Sequence, residues 1–265
     1  MARSVEQKKD NEAEEPRVEG LFFELSSESR FSILSALDAR ELKMAEIARA
    51  ENLTAAEAFR QLQRMSESSL IQRKPEGSYA ITEYGRLILR MSGSMESVFK
   101  HREYFLTHDL SGLPLQLSIR APELARAGLT VDAMSSLDSV VRIASEAEDY
   151  LWACSTEKPG PQNLQGIVLE KIPKGVKFRF IVPERFVPSQ AELRALPNAI
   201  EWRSFENVPM NLMLNEREAN VGFRFLGGKP DFNAFESKDS IFLNWAKDLF
   251  SYFWERGKRP LPKIE

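Results

Sequence analysis

Few residues in this chain are suited to catalysis or metal binding. It has two histidines, His101 and His108, and one cysteine, Cys154. The histidines could share a helix face and hold a metal ion, but no third histidine or second cysteine completes such a site. Both precede the α/β domain described below, so neither is expected to activate Cys154 as a nucleophile. We predict no metal, no cofactor and no catalytic site, and therefore not an enzyme.

Three carboxylates near the C-terminal end are the remaining candidates for acid–base chemistry. Asp231, Glu236 and Asp239 follow a turn at residues 227–228, where two glycines are adjacent. Polar residues beside a glycine turn are typical of a loop, whereas an acid–base pair requires two groups that converge on one substrate. We predict a polar loop.

Basic residues that could contact nucleic acid are concentrated between positions 54 and 74. The bases in this segment are Arg60, Arg64, Arg73 and Lys74, and the acids are Glu57 and Glu67. The net charge of the whole chain is −3, which by itself argues against nucleic acid as a partner. Binding of phosphate groups depends on local charge, however, so an acidic chain with one basic face remains compatible with DNA.

The same segment contains a helix start. Thr54 and Glu57 have the spacing of a capping box, and Asn52 suits the left-handed conformation of a tight turn before it. Ala58, Leu62 and Met65 predict one buried face for the helix that follows. The opposite face carries Ala55, Ala56, Phe59, Arg60, Gln63 and Arg64.

The neighbouring elements complete a known order. Helices are predicted at 27–37 and 43–50, before the helix that starts at Thr54, and strands at 71–74 and 78–81 flank a turn at Pro75-Glu76-Gly77. Three helices followed by a hairpin are typical of a winged helix-turn-helix, whose third helix enters the major groove of duplex DNA. The expected partner is therefore double-stranded DNA.

Side-chain chemistry divides the predicted DNA contacts. Arg60 and Gln63 are long enough to reach base edges, where arginine favours guanine and glutamine favours adenine. Arg64, Arg73 and Lys74 are expected to contact phosphates, which add affinity rather than specificity. The full predicted set is Thr54, Ala55, Ala56, Phe59, Arg60, Gln63, Arg64, Arg73, Lys74 and Tyr79. The alternative is a winged helix used as a protein–protein interaction module, with a second domain that senses nothing.

Composition changes along the chain predict four regions. Residues 1–17 are polar and are expected to form a disordered tail, and residues 18–91 form the winged helix-turn-helix. Residues 92–129 are predicted to be a helical linker and dimerisation region, because residues 94–106 form an amphipathic helix with an exposed apolar stripe. Residues 130–265 are predicted to form an α/β sensor domain.

The sensor domain is predicted from alternating helices and apolar runs. Strands are expected at 150–154, 176–182, 200–205, 210–214 and 219–225, and an apolar helix at 241–254 closes the chain. Trp152, Arg179 and Trp202 could bind a small anionic or sugar-like effector. The alternative is that these aromatic positions belong to the core, or that the domain only binds another protein.

Bulk composition limits the compartment. The chain is 43% hydrophobic, which suffices for a packed core, and its single cysteine excludes an internal disulfide. No apolar run is long enough to span a membrane or to serve as a signal peptide. We expect a cytoplasmic protein with no membrane partner.

Two stretches of the chain resemble known regulators. Residues 18–91 resemble the ArsR/MarR type of winged helix, especially at 53–62 and 69–71, although that type usually has glycine where this chain has Ser69. Residues 104–114 and 245–254 resemble archaeal regulators that join such a domain to a methanogenesis-filamentation-regulator middle domain.

The resemblance implies an archaeal transcription factor, usually a homodimer, that binds duplex DNA. It also implies a rear domain similar to the phospholipase-D-like sensor of archaeal sugar-responsive regulators, with an effector of unknown identity. Phospholipase-D chemistry needs a histidine with a lysine two residues later. Here Glu103 and Leu110 stand two residues after the histidines, so that catalytic pattern is absent.

Overall fold

The structure is a computed structural model, which describes residues 17–157, 162–189, 191–192 and 197–259. The chain divides into two compact units, one up to Gly93 and one from Ser94 onward. The expected disordered tail, residues 1–17, lies outside the described residues except for Arg17. The four predicted regions stay predictions. Most of the predicted linker, residues 94–129, is grouped with the second unit.

The first unit is mostly helical, with a small sheet. Three antiparallel strands are ordered β1-β3-β2. The elements are α1 (Val18–Leu25), α2 (Glu28–Ala39), β1 (Leu42–Lys43), α3 (Met44–Ala50), α4 (Ala55–Glu67), β2 (Ile71–Arg73), β3 (Ser78–Ile81) and the start of α5 (Glu83–Lys100). The predicted helices and hairpin are present, each within two residues or so of its expected ends.

One apolar core holds the first unit together. Ile33 and Leu34 of α2, Ile47 of α3 and Leu62 and Met65 of α4 are almost fully buried in it. Spacings of three residues, from Leu34 to Leu37 in α2 and from Leu62 to Met65 in α4, place these side chains on the inner face of each helix. This core positions α3 and α4 as a helix-turn-helix against the hairpin β2–β3.

The helix predicted at 94–106 is divided in the structure. Residues 94–100 are the end of α5, and a separate helix, α6 (Arg102–Thr107), follows His101. The ring of His101 packs edge-on against Phe235, with ring centroids 5.4 Å apart. A single continuous helix was therefore the wrong expectation, because His101 and Tyr104 pack into the second unit.

The second unit contains a seven-stranded sheet with helices on both faces. Its strand order is β4-β10-β9-β8-β5-β6-β7, with β5, β6 and β7 parallel and the other pairs antiparallel. After α6 the elements are α7 (Leu115–Ser118), β4 (Gly128–Thr130), α8 (Ala133–Glu146), β5 (Tyr150–Cys154), α9 (Gln162–Lys171), β6 (Lys177–Pro183), β7 (Ile200–Phe205), β8 (Met210–Leu214), β9 (Ala219–Phe223), β10 (Ala234–Ser237) and α10 (Ser240–Arg256).

The two faces of this sheet have separate cores. Trp245, Leu249 and Phe250 of α10 pack on one face. Ile143 of α8 and Phe178 of β6 are buried on the other. All five predicted strands and the closing helix are present, so the expectation of a mixed α/β unit holds. Strands β4 and β10, which lie together at one end of the sheet, were not predicted.

Candidate nucleic-acid interface

The turn before α4 has the backbone conformation that its sequence demands. Asn52 adopts a positive φ of 53°, in the left-handed region that asparagine tolerates. The amide of Leu53 donates to the carbonyl of Ala48 over 2.8 Å, which closes α3. The turn is therefore tight, and α4 begins directly after it.

A reciprocal capping box starts α4. The hydroxyl of Thr54 accepts from the amide of Glu57 over 3.3 Å, and Oε2 of Glu57 accepts from the amide of Thr54 over 2.9 Å. The Thr54 hydroxyl also donates to that carboxylate over 2.7 Å. These bonds from Thr54, with the nearby charge of Arg60, lower the pKa of Glu57. Both residues therefore serve the cap.

The outward face of α4 presents small, apolar and long polar side chains. Ala58, Leu62 and Met65 are buried on the inner face, whereas Phe59 is 53% exposed. Five more of the predicted contact residues are exposed: Thr54, Ala55, Ala56, Arg60 and Gln63. The acidic Glu67, in the last turn of α4, is exposed as well. The structure thus brings six of the predicted contact residues to one surface, which we call the α4 face.

Arg60 and Gln63 provide the hydrogen-bonding groups of the α4 face beyond the first turn. Among the described residues, Arg60 has no ion pair. The amide nitrogen of Gln63 donates to Oε1 of Glu67 over 2.9 Å, a contact between exposed groups. An unpaired guanidinium and an exposed amide one helical turn apart match the donor and acceptor pattern of base edges.

Arg64 has a different environment from the one predicted. Its Nη2 donates to Oε1 of Glu24 over 2.6 Å, and its guanidinium lies over the ring of Phe23 at 4.9 Å. The contact with Glu24 raises the pKa of Arg64. Glu24 also lies 3.0 Å from Nε of the buried Arg30. The structure therefore places Arg64 in an ion-pair cluster that anchors α1, because a carboxylate forty residues earlier in the chain reaches it.

The hairpin supplies one further exposed cation. Arg73 is exposed at the end of β2 and has no ion pair among the described residues. Lys74 is half-buried and lies 4.0 Å from Glu41. Tyr79, which was expected to contact DNA, is only 8% exposed and belongs to the core beside β1 and β2. Its position on the central strand of the sheet accounts for that burial.

The connections on either side of the hairpin are compact. Ser69 joins α4 to β2 with a positive φ of 60°, the conformation for which glycine is favoured. A Cβ added at Gly85, in the first turn of α5, would lie 2.1 Å from the carbonyl oxygen of Leu70. This close approach fixes the start of α5 against the base of the hairpin β2–β3, which is the wing of the domain.

The predicted effector residues of the second unit are split between two faces of the sheet. Trp152 and Arg179 are paired neighbours on β5 and β6, and the guanidinium lies 5.4 Å from the indole ring. Trp202 is paired with Phe180 and packs against it at 4.9 Å on the opposite face. The three residues therefore do not form one pocket.

A buried histidine contact was missed by the sequence analysis. His108 is 4% exposed, and its Nε2 lies 2.8 Å from Oδ2 of Asp231. Its Nδ1 lies 2.7 Å from the carbonyl oxygen of Tyr104, whose ring stacks on the imidazole at 3.6 Å. His108 thus lies inside the second unit, not before it, and no spacing in the sequence relates it to Asp231, 123 residues away.

Other types of site have little support within the described residues. In that part of the chain, no group of three or more histidine, cysteine or acidic side chains is placed to hold a metal ion. The same part of the chain contains no helix that combines the length and the apolar character needed to cross a membrane. The α4 face with Arg73 is therefore the strongest candidate interface in the first unit.

Comparison with known proteins identifies the fold of the first unit. Residues 27–100 match the winged helix-turn-helix family model. No curated protein sequence matches the chain. The first unit is a winged helix-turn-helix domain, the class of domain expected from the order of its elements.

Solved structures are similar to this chain at low identity. TrmBL2, described as an archaeal chromatin protein with a novel mode of DNA binding, is 16% identical over 88% of this chain and 94% of its own, with a TM-score of 0.42. NucT from Helicobacter pylori is 12% identical to this chain, with a TM-score of 0.40. The match covers 50% of this chain and 97% of NucT. Nuc from Salmonella typhimurium, a phospholipase D family member, is 13% identical to this chain, with a TM-score of 0.34. The match covers 51% of this chain and 97% of Nuc.

Proposed function

We propose that this protein is a sequence-specific, DNA-binding transcription regulator. The observation that carries the proposal is the α4 face, from which Arg60 and Gln63 project. Helix α4 is the third helix of the winged helix-turn-helix domain, which begins with α2. Arg60 has no ion pair among the described residues. The third helix is the element that enters the major groove in this class of domain.

Thr54 caps the helix, and the other five side chains of the α4 face contact DNA in this proposal. Arg60 donates two hydrogen bonds to the edge of a guanine, and Gln63 pairs with an adenine. Ala55 and Ala56 allow close approach at the start of the helix, where Phe59 contacts thymine methyl groups. Arg73 on the wing and the amides of the first turn contact phosphates.

Fluorescence anisotropy of labelled duplexes tests the proposal. Duplexes selected by the full-length protein from a random pool should bind about 10³-fold or more tightly than random duplex, with affinity falling steeply as salt rises. Arg60→Ala should cost about 1–3 kcal/mol of binding free energy.

Arg64→Ala is the matched control, since it removes the same charge from the same helix. Its guanidinium is held by Glu24, so we expect lower thermal stability but a much smaller loss of DNA affinity. Equal, weak binding of every duplex by the wild-type protein would contradict the proposal.

A second candidate function has one specific observation in its favour. Phe59 is 53% exposed at the centre of the α4 face, and large exposed aromatic groups are common where proteins bind proteins. A winged helix used only as a protein–protein module predicts no sequence preference in the anisotropy experiment. Phe59→Ala would then abolish partner binding, while Arg60→Ala would have little effect.

We further propose that the regulator is a homodimer, since two copies of a helix-turn-helix bind half-sites about one DNA turn apart. In the second unit, an apolar groove of about 510 Å³ is lined by Met95, Val98, Phe99, Arg102, Phe105, Leu106 and Pro122. Met95, Phe99 and Leu106 on its rim are 57%, 68% and 67% exposed. Exposed apolar groups in one patch are stabilised by burial against a second copy.

Sedimentation velocity tests the dimer. The double variant Met95→Asp with Phe99→Asp should shift the full-length protein from dimer to monomer. Leu169→Asp, at an equally exposed apolar position on α9, is the control and should leave the dimer intact. A wild-type protein that sediments as a monomer at tens of micromolar would overturn this part of the proposal.

The second unit has a regulatory and not a catalytic role in this proposal. His108 is buried against Asp231 and Tyr104, which supports a packing role. An effector bound by this unit would change DNA affinity by favouring one arrangement of the dimer. Absence of any hydrolase activity toward phosphodiesters in the purified protein is the expected result.

A further inference from the structure

An unusual set of cations lies on one face of the sheet in the second unit. Arg179 of β6 and Arg203 of β7 lie on the face that α10 covers. Lys258 forms an antiparallel bridge with Ser204 of β7, which places the next residue, Arg259, beside Arg203. The guanidinium carbons of Arg179 and Arg203 lie 5.0 Å and 4.4 Å from the ring centroid of Trp254. We call these three arginines, with Trp152 and Trp254, the arginine–tryptophan cluster.

The aromatic rings hold the guanidinium groups in place. Arg179 also lies 5.4 Å from the ring of Trp152, so it contacts two indoles. Trp254 is 9% exposed and packs on Phe250, which fixes its ring on the sheet. Contacts of this kind orient an arginine side chain but leave its N–H groups free for hydrogen bonds.

Few acceptors serve these N–H groups. Among the described residues, Glu201 provides the one carboxylate paired with the cluster, 3.7 Å from Nε of Arg179. Nη1 of Arg203 donates to the carbonyl oxygen of Trp202 over 3.0 Å. The structure shows no other acceptor for the three arginines within the part of the chain it describes. Among the described residues, the three arginines of the cluster are thus paired with one carboxylate, that of Glu201.

The electrostatic environment of Arg203 agrees with this imbalance. Burial, together with the charges of Arg259 and Arg179, lowers the pKa of Arg203. Arg120 and Arg142, which are paired with carboxylates, have raised pKa values. A bound anion would relieve the repulsion among the three arginines and accept their unused hydrogen bonds.

We propose that the arginine–tryptophan cluster binds a phosphate group. Planar guanidinium forks match the oxygens of a phosphate. The non-bridging oxygens, three in a monoester and two in a diester, can accept from more than one arginine at once. The phosphate comes either from a small phosphate ester that acts as an effector or from the backbone of DNA bound by the protein.

Nuclear magnetic resonance with inorganic phosphate tests the site in the full-length protein. In a titration at constant ionic strength, with chloride as the reference anion, the indole N–H signals of Trp152 and Trp254 should shift and saturate. The signal of Trp245, which is fully buried and donates to Leu117, should not move. Signals that respond equally to chloride and phosphate would overturn the proposal.

Variants assign the effect to the arginines. Arg203→Gln and Arg259→Gln should each weaken phosphate binding by about tenfold, and Arg203→Lys by a few-fold, because lysine keeps the charge but loses the fork. Arg259 is exposed, so its substitution tests the site even if Arg203→Gln fails to fold. Arg217→Gln, whose guanidinium is paired with Glu148, is the control and should bind as wild type does. Unchanged binding by Arg259→Gln and Arg203→Lys would refute the assignment.

A DNA-binding arm distinguishes the two sources of phosphate. If DNA is the source, Arg179→Gln with Arg203→Gln reduces the slope of log affinity against log salt by about 0.9 for each DNA phosphate that these arginines neutralise. If a small ester is the source, that slope stays unchanged, and a sugar phosphate binds the cluster more tightly than inorganic phosphate. Phosphate binding is measured without DNA, so failure of the DNA-binding proposal would leave this result intact.

Discussion

At the scale of residues, Arg60 and Arg64 have the same side chain, lie one turn apart on α4 and have different partners. Arg60 has no ion pair among the described residues, whereas Arg64 is bound by Glu24 and covers Phe23. A free guanidinium retains its hydrogen-bond donors for a ligand, whereas the donors of a paired one are already engaged within the fold. The proposed function therefore uses Arg60 for recognition, whereas the contacts of Arg64 serve the stability of the fold.

Ser69 gives a prediction for stability. Its φ of 60° costs a non-glycine residue about 1–2 kcal/mol, and its side chain is exposed. Ser69→Gly should raise the free energy of unfolding by about 0.5–1 kcal/mol in urea denaturation, after the greater freedom of the unfolded glycine is counted. Ser66→Gly, inside α4, is the control and should lower it by about 0.5 kcal/mol. Destabilisation by Ser69→Gly would contradict this account of the turn.

Cys154 gives a prediction for reactivity. The side chain is buried at the end of β5, and that burial raises the pKa of the thiol well above its ordinary value. A neutral, buried thiol is a poor nucleophile. The native protein should react with Ellman's reagent at pH 8 far more slowly than the urea-unfolded chain. Equal rates for the native and unfolded chains would show that β5 is open to solvent.

At the scale of elements, the capping box makes α4 sensitive to acid. The pKa of Glu57 is lowered in the fold below its ordinary 4.5. Its contribution to stability is therefore fully present above the unfolded pKa and is lost as pH falls through the folded pKa. Thr54→Ala should cost about 1 kcal/mol at pH 7 and should reduce the acid dependence of unfolding below pH 5, followed by circular dichroism. An acid dependence identical to wild type would argue against the Thr54–Glu57 bond.

Elements with local signals could be predicted from the sequence. The start of α4 depends on four consecutive residues, and the wing on a short turn between two apolar runs, so both were expected correctly. β4 and β10 are only three and four residues long and exist because they pair with each other across about a hundred residues. No local pattern distinguishes such strands from loops.

The candidate site follows the same division. The exposed positions of α4 follow from helical periodicity, so Ala55, Ala56, Phe59, Arg60 and Gln63 were predicted. The roles of Arg64 and Tyr79 depend on contacts between distant parts of the chain, namely Glu24 and the central strand of the sheet. In the second unit, Trp254 and Arg203 meet only because α10 packs across β7, so the arginine–tryptophan cluster could not be predicted.

At the scale of the whole molecule, the distribution of charge matters more than its total. The chain has a net charge of −3, yet both units present cations without matching carboxylates among the described residues: Arg60 and Arg73 in one, Arg203 and Arg259 in the other. An acidic remainder repels DNA at long range, so productive binding requires the basic face to meet the duplex. This arrangement favours specific over nonspecific association.

The measurement that tests the central claim most directly is a comparison of base preferences with and without Arg60. Affinities of wild-type protein and Arg60→Ala would be measured for a selected duplex and for each of its single base-pair substitutions. We predict that Arg60→Ala loses about 1–3 kcal/mol of discrimination at one guanine and keeps the preferences at the other positions. Retention of every preference by Arg60→Ala, with wild-type affinity, would contradict the assignment of α4 as the recognition helix.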